Sequence, residues 1–266
     1  MVQNFTVGPV RQALRGLGGV GVRPCKETRM MGAKRWSRCV GCLLASVLGL
    51  FLLGLGHAEE VWAQGADEAQ RVIASVEAED PALAQALRGV LAETERFRDV
   101  EVALAEGYMR DPMDMCVTPE MEGFPRQLGG MGIHFFRPDL LGLTQVEPRV
   151  SGTGTHGDFR QPGVLIYEPQ ADGSLELVAV ENLIFEEAWR AAGNNGPPEF
   201  MGNQYWHLVE NPRTPVDEAH GFEPHYELHM WLYRENPSGL FSPFNPRASC
   251  EHHQGPGGQH HGSGGE

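Results

Sequence analysis

VLIYEPQADGSLELVAVENLIF (residues 164–185) holds two apolar runs, 164–168 and 175–185, on either side of Pro169-Gln170-Ala171-Asp172-Gly173. Runs of this kind around a turn-forming cluster read as an antiparallel hairpin. Working outward, GIHFF (132–136) reads as a short strand and HYELHMWLY (225–233) as the last strand, ended by Asn236-Pro237. Residues 204–209 read as a further strand or a short helix. Residues 109–131, 137–162 and 190–203 are rich in Pro and Gly and read as loops. Upstream, 66–107 is helical in pattern. Asp80 is placed to cap a helix with Pro81 at its first position, and Leu83, Leu87, Val90, Leu91 and Thr94 follow at helical spacing. Val100, Leu104 and Tyr108 extend the pattern, with Gly107 as a stop. The fold class is therefore α+β: an antiparallel β-sheet with N-terminal helices packed against it.

The apolar run Val40–Gly56 carries no charge, follows Lys34, Arg35 and Arg38, and precedes Gly56-His57-Ala58. This is the pattern of a secretory signal peptide over 30–58, cut after Ala58; a cut after Ala63 or Gly65 and an uncleaved anchor remain open. Residues 1–29 lengthen the leader beyond ordinary proportions and read as a mis-start or a disordered segment. Beyond the leader the expected parts are N-terminal helices (59–107), an α+β domain (108–250) and a disordered His/Gly-rich tail (251–266). The expected location is periplasmic or extracellular, with no stable membrane insertion once the leader is removed.

The whole chain carries 21 basic and 35 acidic residues. Past residue 58 there remain thirteen basic residues, all Arg, against thirty-four acidic ones, a formal charge of −21. Such a surface repels nucleic acid, favours cations and keeps the chain soluble. A metal, a small molecule or an envelope protein remains as a partner. Cys116 and Cys250 are the cysteines outside the leader, and in an oxidising compartment they most simply pair. The bridge would close most of the domain and contribute about 4 kcal/mol by loop entropy. Free thiols or soft metal ligands are the alternatives.

In the last strand, His225, Glu227, His229 and Trp231 alternate onto one face and Tyr226, Leu228, Met230 and Leu232 onto the other. Imidazole and carboxylate are ordinary ligands for zinc, iron, copper and manganese, but a solvated or ion-paired face explains the same pattern. Glu168 shares a face with Val164 and Ile166, Glu181 with Leu177 and Ala179, and His134 lies between Ile133 and Phe135. A carboxylate facing a core is costly unless it is paired or bound to a cation. An Arg partner, or departure from the sheet at Pro169, would account for Glu168.

GGMGIHFF (129–136), VLIYEP (164–169), VAVENLIF (178–185) and YELHMWLYRENPSGLFSPFNPRASC (226–250) resemble a family of exported bacterial proteins with no known activity. The resemblance spans about residues 97–250. It implies secretion and one compact domain, and supplies no reaction. It places His134, Glu168, Glu181, Glu227 and His229 as the polar positions inside strand motifs, with His225 less tied to the pattern. These five form the expected ligand set for a divalent transition metal.

Three functions compete: a metal-binding protein using that set, a non-catalytic small-molecule or envelope-protein binding module with a buried polar network, and a metal-free hydrolase using Glu168 and Glu181. No GxSxG is present. Met109, Met113, Met115, Met121 and Met131 offer thioethers to copper(I) but more often fill irregular packing. The tail histidines His252, His253, His260 and His261 bind added metal weakly.

Overall fold

The structure is a computed structural model describing residues 68–255. The leader, the proposed cleavage sites and the tail from residue 256 lie outside the described residues. Among the described residues there are eleven strands: β1 (Met109–Arg110), β2 (Cys116–Val117), β3 (Gly132–Phe136), β4 (Leu143–Gln145), β5 (Ser151–Gly152), β6 (Val164–Pro169), β7 (Leu175–Phe185), β8 (Glu199–Phe200), β9 (Asn203–Gln204), β10 (Trp206–Leu208) and β11 (His225–Met230). Seven form one antiparallel sheet in the order β1-β3-β6-β7-β11-β10, with β2 also paired to β3. The β6–β7 hairpin turns where the sequence places it. Asp172 accepts from the Ser174 amide, and Gly173 takes φ 85°, which a glycine adopts without a side-chain clash.

One face of this sheet carries Ile133, Phe135, Leu165, Tyr167, Leu177, Val180, Ile184, Tyr226, Leu228 and Met230. The N-terminal helices cover it. A helical stretch over 68–77 contributes Ala69, Val72 and Ile73, and the helix Pro81–Thr94 contributes Leu83, Ala84, Leu87, Val90 and Leu91. Asp80 caps the second helix by accepting from the Leu83 amide at 2.9 Å, with Pro81 at the first turn. Buried hydroxyls tie helices to sheet: Tyr167 donates to the Phe97 carbonyl, and Tyr233 shares a hydrogen bond with Thr94. Burial pushes both phenols above their ordinary range.

The opposite face is covered by loops and carries Phe136, Val164, Ile166, Ala179, Leu183, Phe185 and Trp231 beside the histidines and glutamates of the candidate site. Gly129 shows how closely the covering chain approaches: its φ is 93°, and a Cβ there would meet the Asn245 carbonyl oxygen at 1.9 Å. The Cys116–Cys250 disulfide joins the β2 edge to the segment that follows this cover.

Several boundaries differ from the sequence reading. A 3-10 turn, Glu95–Arg98, interrupts the helical stretch before a short helix, Val100–Ala105, and Leu104 is exposed. β11 ends at Met230 because the Leu232 amide turns back to the Met230 carbonyl. Residues 186–191 form a helix at the edge of a stretch read as loop, and 199–204 hold a small hairpin. Past Cys250 the chain stays packed as far as His253, which is buried with Nε2 2.7 Å from the Asp114 carbonyl.

Candidate metal centre

β7 contributes Glu181, and the flanking strands register against it. His229 of β11 is its cross-strand partner, and Val164 of β6 is its partner on the other side. One strand further, His134 of β3 pairs with Ile166 of β6. Period-2 alternation then puts His134, Glu181, Glu227, His229 and His225 on the loop-covered face. A bulge sets this phase: Ile166 faces Ala179 while Tyr167 faces Leu177, so Val178 is an extra residue. Leu177 thereby points to the helical side and Glu181 to the other, which corrects the expectation that they share a face.

The distances define a connected lattice. His134 Nε2 is 3.3 Å from Glu181 Oε2, and His229 Nε2 is 3.6 Å from the same oxygen. His229 Nδ1 is 3.7 Å from Glu227 Oε1. Glu227 Oε2 lies 3.4 Å from His225 Nε2 and 3.8 Å from His220 Nε2. His220 Nδ1 is 3.4 Å from Glu122 Oε1. Each of these seven side chains is buried. The groups His134/Glu181/His229 and His220/His225/Glu227 each bring one donor atom per residue within 4.8 Å of the others, a geometry able to hold a metal ion and to form a polar network.

Most of these approaches are not hydrogen bonds. Of the eleven buried side-chain polar atoms without a partner among the described residues, eight belong here: Glu122 Oε1, His134 Nε2, both Glu181 oxygens, His220 Nδ1, Glu227 Oε1 and both His229 nitrogens. An unsatisfied buried polar group costs about 1–3 kcal/mol, and more when charged. Electrostatics compound the effect. Burial opposes ionisation of Glu227, yet His225, His229 and His220 around it hold its carboxyl down at about 2. Burial likewise opposes protonation of His220, but Glu122, Glu227 and Glu181 push it up to about 9. The site thus draws positive charge inward.

Of the five expected ligands, four converge here. Glu168 does not: its Oε2 is 2.9 Å from Arg234 and its Oε1 accepts from the Ser249 amide at 2.7 Å, so an Arg pair and a backbone donor satisfy it at the strand end. His225 is fully buried in the cluster. Sequence reasoning missed His220 and Glu122. His220 sits in a turn with φ 34°, where Asp217 accepts from the Ala219 and Gly221 amides and is paired to Arg149. Glu122 ends the 3-10 turn Pro119–Glu122, closed by Gly123 at φ 79°. The usable signal was the density of histidine in HGFEPHYELH (220–229).

A cleft of about 900 Å³ lined by Gln145, Phe185, Glu186, Arg190, Glu223 and Pro224 lies outside the cluster. It shares no side chain with the histidine–glutamate set, whose chemistry makes it the stronger candidate. No helix among the described residues is long and apolar enough to cross a membrane. Comparison with known proteins gives no match, whether to a family model, a curated protein or a solved structure.

Proposed function

We propose that this chain is an exported protein that binds a divalent transition metal through His134, Glu181 and His229, with Glu227 behind them. The observation that carries this reading is the set of eight buried, unpartnered donor atoms in one cluster. Lone pairs that face one another without hydrogen-bond geometry are poorly matched as a polar network and well matched to a shared cation. Mixed imidazole and carboxylate donors favour zinc(II), iron(II), copper(II) or manganese(II) over calcium or magnesium. Export rests on the leader pattern at 30–58 and agrees with a disulfide that persists in oxidising surroundings. The family resemblance belongs to the same proposal.

Elemental analysis tests it. The exported chain, with His252, His260 and His261 changed to Ala to silence the tail, is exposed to a panel of divalent ions and desalted. At least one equivalent is expected to remain, with loss in H229A and E181Q that keep the wild-type circular dichroism. Retention below about 0.1 equivalent in the unmutated cluster removes the metal reading, since a preformed ligand set holds its ion through desalting. It would leave the buried polar network as the function of these residues.

A further inference from the structure

We propose that the cluster holds two metal ions, in a pair of two-histidine, one-carboxylate positions coupled through Glu227. The inference rests on the metal reading above and deepens it. The donors divide without overlap. His134 Nε2 and His229 Nε2 gather around Glu181 Oε2, and His220 Nε2 and His225 Nε2 gather around Glu227 Oε2, in two separate groups of three residues. Metal–nitrogen and metal–oxygen bonds of about 2.0–2.1 Å at tetrahedral angles place neighbouring ligand atoms about 3.3 Å apart. The contacts of 3.3 and 3.6 Å in the first set and 3.4 and 3.8 Å in the second lie near that edge length. Each set supplies three protein ligands and leaves further coordination open, as catalytic rather than structural zinc sites do.

The second nitrogens of three rings support the division. A histidine that ligates through one nitrogen needs its other N–H satisfied, and the acceptor fixes the tautomer. His225 Nδ1 lies 2.9 Å from the Glu223 carbonyl, His220 Nδ1 faces Glu122 at 3.4 Å, and His229 Nδ1 faces Glu227 at 3.7 Å. Only the His225 contact is a hydrogen bond; at His220 and His229 a carboxylate oxygen stands on the Nδ1 side without hydrogen-bond geometry, while Nε2 in each ring approaches a carboxylate of a donor set. Glu227 therefore serves both positions: Oε1 orients His229 of the first, and Oε2 is a ligand of the second. Glu122 is a positioning residue for His220. One ion is not matched to all six donors, because the residues fall into two separate groups of three whose ligand atoms lie within 4.8 Å of one another, and not into one group of six.

Zinc(II) counting decides the matter, using the full exported chain with the three tail substitutions. The unmutated cluster is expected to retain two zinc equivalents after desalting. H225Q is expected to retain one, held by the first set, and H134Q one, held by the second, both with wild-type circular dichroism. E122Q, which keeps the shape of the side chain, is expected to weaken the second equivalent at least tenfold in a chelator competition and leave the first unchanged, an asymmetry that general destabilisation would not give. A single equivalent in the unmutated cluster overturns the two-ion proposal and leaves the metal reading standing. Two equivalents of which a folded H225Q loses both or neither also overturn it. No retained zinc, or any other ion, sinks both.

Discussion

His229 and Glu181 are cross-strand partners in the antiparallel pairing of β11 with β7, and their facing atoms lie 3.6 Å apart without forming a hydrogen bond. Residues that stand opposite one another in a sheet normally contribute a favourable pair. Here the pairing confines a ring nitrogen and a carboxylate in a dry interior, which is costly for the metal-free protein.

The cost gives E181Q opposite effects in the two states. The amide keeps the volume and removes a buried carboxylate whose oxygens accept no hydrogen bond. The metal-free variant is therefore expected to be more stable than wild type by about 1–3 kcal/mol, while its metal retention falls. Urea unfolding in the presence of a chelator, beside elemental analysis, checks both. Destabilisation together with unchanged metal retention would mean that Glu181 is part of a satisfied polar network.

Metal removal should lower thermal stability. An ion held at about a thousand times its dissociation constant contributes about 4 kcal/mol. For a domain of this size that corresponds to about 8–16 °C in Tm. A melting curve recorded with and without a strong chelator, followed by re-addition of zinc(II), should show the drop and its recovery.

E168Q should leave metal retention unchanged. Glu168 is satisfied by Arg234 and the Ser249 amide, and Arg234 also reaches Glu176 at 2.9 Å. The substitution is expected to show as a stability loss of about 1–3 kcal/mol from a weakened, largely buried pair. Equal metal loss in E168Q and E181Q would place Glu168 back among the ligands.

The turn that carries His220 predicts a pH dependence. Burial works against ionisation of Asp217, but Arg149 and the Gly221 and Ala219 amides hold its carboxyl below the usual 3.8. A lowered folded-state pKa gives stability that is present above 3.8 and lost as pH falls through the folded value. D217N should therefore be less stable than wild type at neutral pH, and the difference should shrink in acid below 3.8. Acid titrations of the two proteins, followed by fluorescence, measure it.

Much of the sheet was legible because its strands follow simple rules. GIHFF, the 164–185 hairpin and HYELHM lie where apolar runs and turn residues put them, and Asp80-Pro81 starts its helix. The side-chain alternation in β11 was also readable, so His225, Glu227 and His229 were correctly grouped on one face. What escaped was carried by irregular backbone. Glu122 and His220 reach the cluster from a 3-10 turn and from a positive-φ turn, where no period marks which way a side chain goes. Glu168 was counted among the ligands by the resemblance, whereas the alternatives read from its own neighbourhood, an Arg partner and a strand end at Pro169, are what the structure shows.

The extra residue at Val178 has a consequence for heredity as well as for shape. Counting along β7, odd and even positions exchange sides of the sheet at that point. Deleting Val178 itself would make the pairing regular and leave Glu181 opposite His229, whereas a one-residue deletion beyond the bulge, at Val180, would bring Asn182, now on the helical side, to the place Glu181 occupies. A carboxamide cannot substitute for the carboxylate's charge, so the centre would be lost with every one of its histidines still encoded. The identity of this site is written in the spacing of the chain as firmly as in its side chains.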